Sequence, residues 1–104
     1  MSEQELAAIG IVRAKPGQDQ ELGRRMSSLI APTRAEPGCL AYELFQSTED
    51  PAVWVFIERW RSVADLDAHV HANHMTTFLA RSREVLADQP HNFRLRSVPR
   101  KLDD

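Results

Sequence analysis

Val53-Trp-Val-Phe-Ile-Glu-Arg-Trp60 is the tract on which the fold turns. It is rich in β-branched and aromatic residues, has no Gly or Pro, and reads as a strand. Side chains alternate across a strand, so Trp54, Phe56, Glu58 and Trp60 share one face and Val53, Val55, Ile57 and Arg59 the other. Both faces are largely apolar, so both need cover. Upstream, Thr48-Glu-Asp-Pro51 has hairpin length and joins this strand antiparallel to another over Cys39–Ser47. Leu6–Ala14, ended by Lys15-Pro-Gly17, reads as a first strand, and His91–Val98 alternates as a last one.

Between the first two strands the period changes. Leu22, Met26, Leu29, Ile30 and Thr33 fall on one face of a helix that begins near Gln18. Pro32 should kink or tighten its end, before Glu36-Pro-Gly38 closes it. After the third strand, Ser62-Val-Ala-Asp65 is a capping box with Asp in place of Glu, and Val63, Leu66 and Val70 follow at helical spacing. A further helical segment carries Met75, Phe78, Leu79, Ser82, Val85 and Leu86 on one side, up to Pro90. The order β-α-β-β-α-β predicts an α+β, ferredoxin-like split βαβ domain: a four-stranded antiparallel sheet with helices on one face. So little helix covers only one face. The other is expected to be covered by a second copy, as a homodimer with sheets face to face.

With 104 residues the chain has room for one domain, core about 6–98, with a polar tail over 99–104. Thirteen basic residues against 15 acidic leave a net charge of −2, without the basic excess expected of a nucleic-acid binder. The longest apolar run, Val53–Ile57, cannot span a bilayer, so no membrane partner is expected. No apolar stretch follows Met1-Ser-Glu-Gln-Glu5, which predicts no signal peptide and a cytoplasmic address. Cys39 is the sole cysteine, which excludes an internal disulfide and a multi-cysteine metal cluster.

Several residues stand out chemically. Glu58 is a carboxylate in an apolar strand and needs a partner or a shifted pKa. Trp60 is either core or a wall against a flat ligand. Arg59, on the opposite face, is expected in an ion pair across the dimer. His69, His71 and His74 cluster, but their spacing does not stack all three on one helix face, and no acidic residue of the segment completes a ligand set. No metal is therefore expected. His69, near the buried face, and His74, one turn before Phe78, are candidate general bases, while His71 is expected to be exposed. Tyr42 and Cys39 have opposite parity; Tyr42 belongs to the pocket or the interface, and Cys39 is a small buried hydrophobe. Arg94 and Arg96 alternate with Phe93 and Leu95, as on a solvated or dimer-bridging face. The expected pocket has Phe56, Glu58 and Trp60 below and Leu66, His69 and His74 above.

Pro32-Thr-Arg-Ala-Glu-Pro-Gly-Cys-Leu-Ala-Tyr-Glu-Leu44, Phe56-Ile-Glu-Arg-Trp-Arg-Ser62, Leu66-Asp-Ala-His69 and His74-Met75 together resemble the antibiotic biosynthesis monooxygenase family, in particular its small quinol monooxygenases. The resemblance runs from about Ile9 to Val98. It implies a dimeric α/β-barrel with a pocket between sheet and helices in each protomer. It also implies oxidation of a phenolic or quinol-like molecule by molecular oxygen, with no metal or organic cofactor. Under that reading His74, His69 and Trp60 are the catalytic candidates, and Phe56, Glu58, Leu66 and Tyr42 bind substrate. The same scaffold also hosts haem degradation, isomerisation of small signalling compounds and sequestration of hydrophobic metabolites. Haem-degrading relatives carry an Asn and a Trp where this chain has Gly10 and His69, and an iron-binding His near the place of Leu79, which disfavours haem here.

Overall fold

The computed structural model describes residues 4–99. The tail expected over 99–104 therefore lies, apart from Pro99, outside the described residues. Four strands, β1 (Leu6–Arg13), β2 (Cys39–Gln46), β3 (Val53–Trp60) and β4 (His91–Leu95), form one antiparallel sheet in the order β2-β3-β1-β4. This is the ferredoxin-like arrangement. The helices are α1 (Asp19–Ser27), α2 (Ile30–Arg34), α3 (Val63–Val70) and α4 (Asn73–Ala80). Leu22, Met26 and Leu29 meet Leu6, Ala8, Val12, Phe56 and Trp60 in one core.

Pairing fixes which residues share a face. Ala8 lies opposite Glu58, Gly10 opposite Phe56 and Val12 opposite Trp54, all toward the helices. Ile9–Ile57, Ile11–Val55, Glu43–Ile57 and Ile9–Phe93 pair on the other face. There Phe45, Ile57, Phe93 and Leu95 are all exposed. The two-sided apolarity of β3 thus appears as one covered and one uncovered face.

Four local expectations change. The helix expected from Gln18 to Thr33 breaks at Ser28 and Leu29. Pro32 has no N–H for the Ser28 carbonyl and its ring crowds that carbonyl, so the break falls one turn upstream of the proline. Downstream, α4 ends at Ala80. A short 3₁₀ turn (Ser82–Glu84) follows, Val85 is buried in a turn, and buried Leu86 makes an isolated antiparallel bridge with Ala14. Lys15 N–H donates to the Val85 carbonyl and Ala87 N–H to that of Arg13, so backbone pairing replaces helix there. In α3, Leu66 and His69 are buried whereas Val63 and Val70 are exposed. A bulge at Leu40 puts Cys39 opposite Trp60 and Tyr42 opposite Glu58, so the two share the covered face despite their odd spacing.

The Glu36–Gly38 turn locks α3 to the sheet. Gly38 has φ +82°, its carbonyl accepts from Arg61 N–H (2.8 Å), and a Cβ there would overlap the Asp65 carboxylate. Ser62 caps α3, its Oγ accepting from the Asp65 N–H (3.1 Å) and its hydroxyl donating to the Asp65 carboxylate (2.8 Å). Gly38→Ala is therefore expected to lower the unfolding free energy by more than ~1 kcal/mol, read by urea denaturation. An unchanged midpoint would show that the turn yields without cost.

Candidate functional site

A cavity of about 350 Å³ lies between the covered sheet face and the helices. Ala8, Gly10, Val12 and Phe56 line it from the sheet, Met26 and Leu29 at the end of α1, Leu66 and His69 from α3, and Met75 and Phe78 from α4. The volume fits a small, flat organic molecule and lies at the lower end of ligand sites. Three of its polar lining groups, Tyr42, Glu58 and His69, are buried; Asn92 and Arg94 on β4 are exposed.

His69 is 2% exposed and fixed on three sides. Its Nδ1 lies 2.7 Å from Glu36 Oε2, its ring lies against that of Trp60 (4.7 Å between centroids), and Tyr42 meets it edge-on (5.5 Å). A carboxylate only accepts, so Nδ1 carries a proton, and in the neutral form of the ring Nε2 is the nitrogen with the free lone pair. Nε2 lies 4.0 Å from Glu58 Oε1, which accepts from Trp60 Nε1 at 2.8 Å. Burial raises the Glu58 carboxyl above its ordinary range; the Trp60 N–H and the nearby His69 pull the other way but do not win. Burial, with the negative field of Glu58, also holds Tyr42 far above its usual pKa, so it stays a neutral phenol. Its hydroxyl is buried beside Thr33 without a well-formed hydrogen bond.

The antibiotic biosynthesis monooxygenase (ABM) family model matches residues 6–81. A Mycobacterium tuberculosis protein named "Putative monooxygenase Rv0793" is 35% identical over 78% of this chain and 79% of its own length. Its solved structure superposes with a TM-score of 0.86 at 29% identity, covering 92% of this chain and 97% of that one. The chain belongs to the ABM family. The Escherichia coli protein named "Probable quinol monooxygenase YgiN" is 30% identical over 70% of this chain and 80% of its own length. "Uncharacterized protein sll1783" of Synechocystis is 29% identical over 79% of this chain, which spans 56% of that longer relative.

Within this ABM domain the residues singled out from sequence divide into two sets. Phe56, Glu58, Leu66, His69 and Tyr42 all line the cavity. Trp60 and His74 do not. Trp60 is fully buried beneath His69, where it reaches Glu58 instead of a ligand. The Nε2 of His74 turns to Glu36 Oε2 (2.8 Å) and Thr33 Oγ1 (3.1 Å), and the residue lines a separate groove beside Arg25 and Phe78. The pocket drawn from strand parity thus keeps Phe56, Glu58, Leu66 and His69 but loses Trp60 from its floor and His74 from its upper wall.

Glu36, which sequence reasoning treated only as a helix stop, holds both buried-side histidines. No local signal marks it, because it stands 33 and 38 residues from the groups it binds. Within the chain, Arg59 pairs with Glu5 (2.8 Å). Arg94 lies on the covered face at the cavity and pairs with Asp67 (2.8 Å). Cys39 is half-buried; desolvation and the neighbouring Glu36 raise its thiol pKa, as fits an inert side chain. His71 is exposed.

The Glu58 shift makes a signed prediction. A carboxyl whose folded pKa is raised favours folding while protonated, and that contribution is lost as pH rises from its unfolded value, about 4.3, through its folded value. Glu58→Gln keeps an acceptor for Trp60 and removes the titration. Its stability relative to wild type should rise across that interval and then level off, measured by urea unfolding at stepped pH. A difference that falls with pH would contradict the assigned shift.

Proposed function

We propose that the chain is a cofactor-independent monooxygenase that oxidises a phenolic or quinol-like small molecule with molecular oxygen. The observation that carries this reading is the oriented imidazole: His69 keeps an acceptor nitrogen on the Glu58 side of the cavity because Glu36 engages the other one. A phenol needs a base to become a phenolate, and only the phenolate is a strong enough reductant to start on dioxygen. We take His69 as that base, since it lines the cavity and His74 does not. Tyr42, held neutral, forms part of the wall, and Phe56, Leu66, Met75 and Phe78 hold the ring and exclude water. Trp60 acts at one remove, by fixing Glu58 and backing the His69 ring.

The chemistry balances without a further reductant. His69 takes the phenolic proton, the phenolate passes an electron to dioxygen, and the two radicals combine at a hydrogen-bearing ring carbon ortho or para to the oxygen. The resulting hydroperoxide loses water to give a quinone. One oxygen atom enters the product and one leaves as water, and all four electrons come from the substrate. That the Escherichia coli relative bears a quinol monooxygenase name is consistent with this substrate class.

With a panel of phenols and quinols, dioxygen uptake should equal quinone formed, one for one, without added reductant. His69→Asn should lower turnover by ~10²–10⁴-fold while ligand binding and fold persist. Binding of the panel without any uptake would instead make the protein a binder of such molecules. Turnover unchanged in His69→Asn would reject the base.

We also propose that the protein is a homodimer closed over the uncovered sheet face, the dimeric α/β-barrel. Phe45, Ile57, Phe93 and Leu95 are 41–51% exposed there, around half-buried Ile9, Ile11, Val53 and Val55. A contiguous apolar face of this kind is a mark of association. Sedimentation at micromolar concentration should give twice 11.8 kDa, and Ile57→Glu should shift it to the monomer mass. A wild-type monomer would reject the dimer.

A further inference from the structure

Three metal-ligating atoms converge behind the cavity wall. Glu36 Oε2, His69 Nδ1 and His74 Nε2 all lie within 4.8 Å of one another, with the carboxylate oxygen 2.7 and 2.8 Å from the two nitrogens. They come from the α2–β2 turn, α3 and α4, so three separate elements would have to move to pull them apart. We propose that Glu36, His69 and His74 form a binding site for a divalent first-row transition ion of the zinc class. This inference does not rest on the oxidation chemistry above.

The donor chemistry selects the ion. Two imidazoles and one carboxylate suit zinc and its neighbours, whereas magnesium and calcium require oxygen ligands. In a tetrahedral shell, metal bonds of about 2.0–2.2 Å place adjacent ligand atoms roughly 3.4 Å apart, so the two carboxylate–imidazole separations must open by a fraction of an ångström, with the two nitrogens already within 4.8 Å of each other. Each imidazole receives the ion by moving its proton to its other ring nitrogen, with no net loss of protons. On His69 that other nitrogen is Nε2, 4.0 Å from Glu58 Oε1. A carboxylate beyond a metal-bound histidine orients the ring and strengthens the ligand. Glu58, itself held by Trp60, is placed for that role. Access is from the side of His74 and Glu36, whose side chains are 22% and 13% exposed and which do not line the cavity. Thr33 Oγ1, 3.1 Å from His74 Nε2, or a water molecule completes the shell.

Occupancy also has a consequence that rests on the proposed base. With the ion on Nδ1, His69 carries its proton on Nε2 and cannot accept one from a phenol. An occupied site should therefore be an inactive one.

The test is titration of tag-free, chelator-treated protein with zinc chloride, followed by calorimetry, with cobalt(II) absorbance as a second readout. Binding should saturate at one ion per chain, and magnesium chloride should give none. Glu36→Gln and His74→Ala should each weaken binding by about 100-fold or more, Glu58→Gln by ~10–100-fold, and His71→Ala not at all. His74→Gln, which keeps a hydrogen-bonding group beside Glu36, serves should His74→Ala fail to fold. Absence of stoichiometric binding, or binding that survives the loss of Glu36 and His74, would overturn the site. Stoichiometric binding that leaves dioxygen uptake intact would uphold the site and reject His69 as the base.

Discussion

The Glu36–His69 contact is the interaction on which the rest of the site depends. An imidazole with 2% exposure cannot be left without partners, and a carboxylate from a turn 33 residues away supplies one at 2.7 Å. That contact ties the α2–β2 turn to α3. It places His69 tilted against Trp60, at 35° between ring planes, and sets which nitrogen faces Glu58. The Gly38 turn and the Ser62–Asp65 cap then serve one end, holding the turn and the first residues of α3 at a fixed distance.

The cavity follows from the same geometry. Trp60, buried beneath His69, sets the height of α3 above the sheet, while Gly23 lets α1 approach closely because a Cβ there would overlap the Trp54 ring. Between these two packing points remains the space lined by Phe56, Leu66 and Phe78. An apolar chamber with a few buried polar groups at one wall is a place where a proton can be removed from a weak acid without competition from water. The sheet separates this chamber from the uncovered face, so the proposed ligand site and the proposed dimer surface lie on different sides of β3.

Much of this was legible in the sequence, for physical reasons. Strand alternation in Val53–Trp60 assigned Phe56, Glu58 and Trp60 to one face, and period alone located Leu22, Met26 and Leu29 in the core. The capping residues Ser62 and Asp65 marked the start of α3, which carries His69. What escaped was long-range or irregular. The bulge at Leu40 inverted the parity of Cys39 relative to Tyr42, and no local residue type announces a bulge there. Helical spacing through Val85 and Leu86 hid a turn and a single bridge to Ala14, just beyond β1. Glu36 could not be matched to His69 and His74 from spacing, because folding, not sequence proximity, brings them together.

The central claim concerns one proton. In chelator-treated protein with ¹⁵N-labelled histidine, long-range proton–nitrogen correlation spectra distinguish a protonated ring nitrogen from one bearing a free lone pair. The account predicts His69 with Nδ1 protonated and Nε2 free near neutral pH, and loss of that preference in Glu36→Gln. A His69 whose proton resides on Nε2 in the wild-type protein would contradict it.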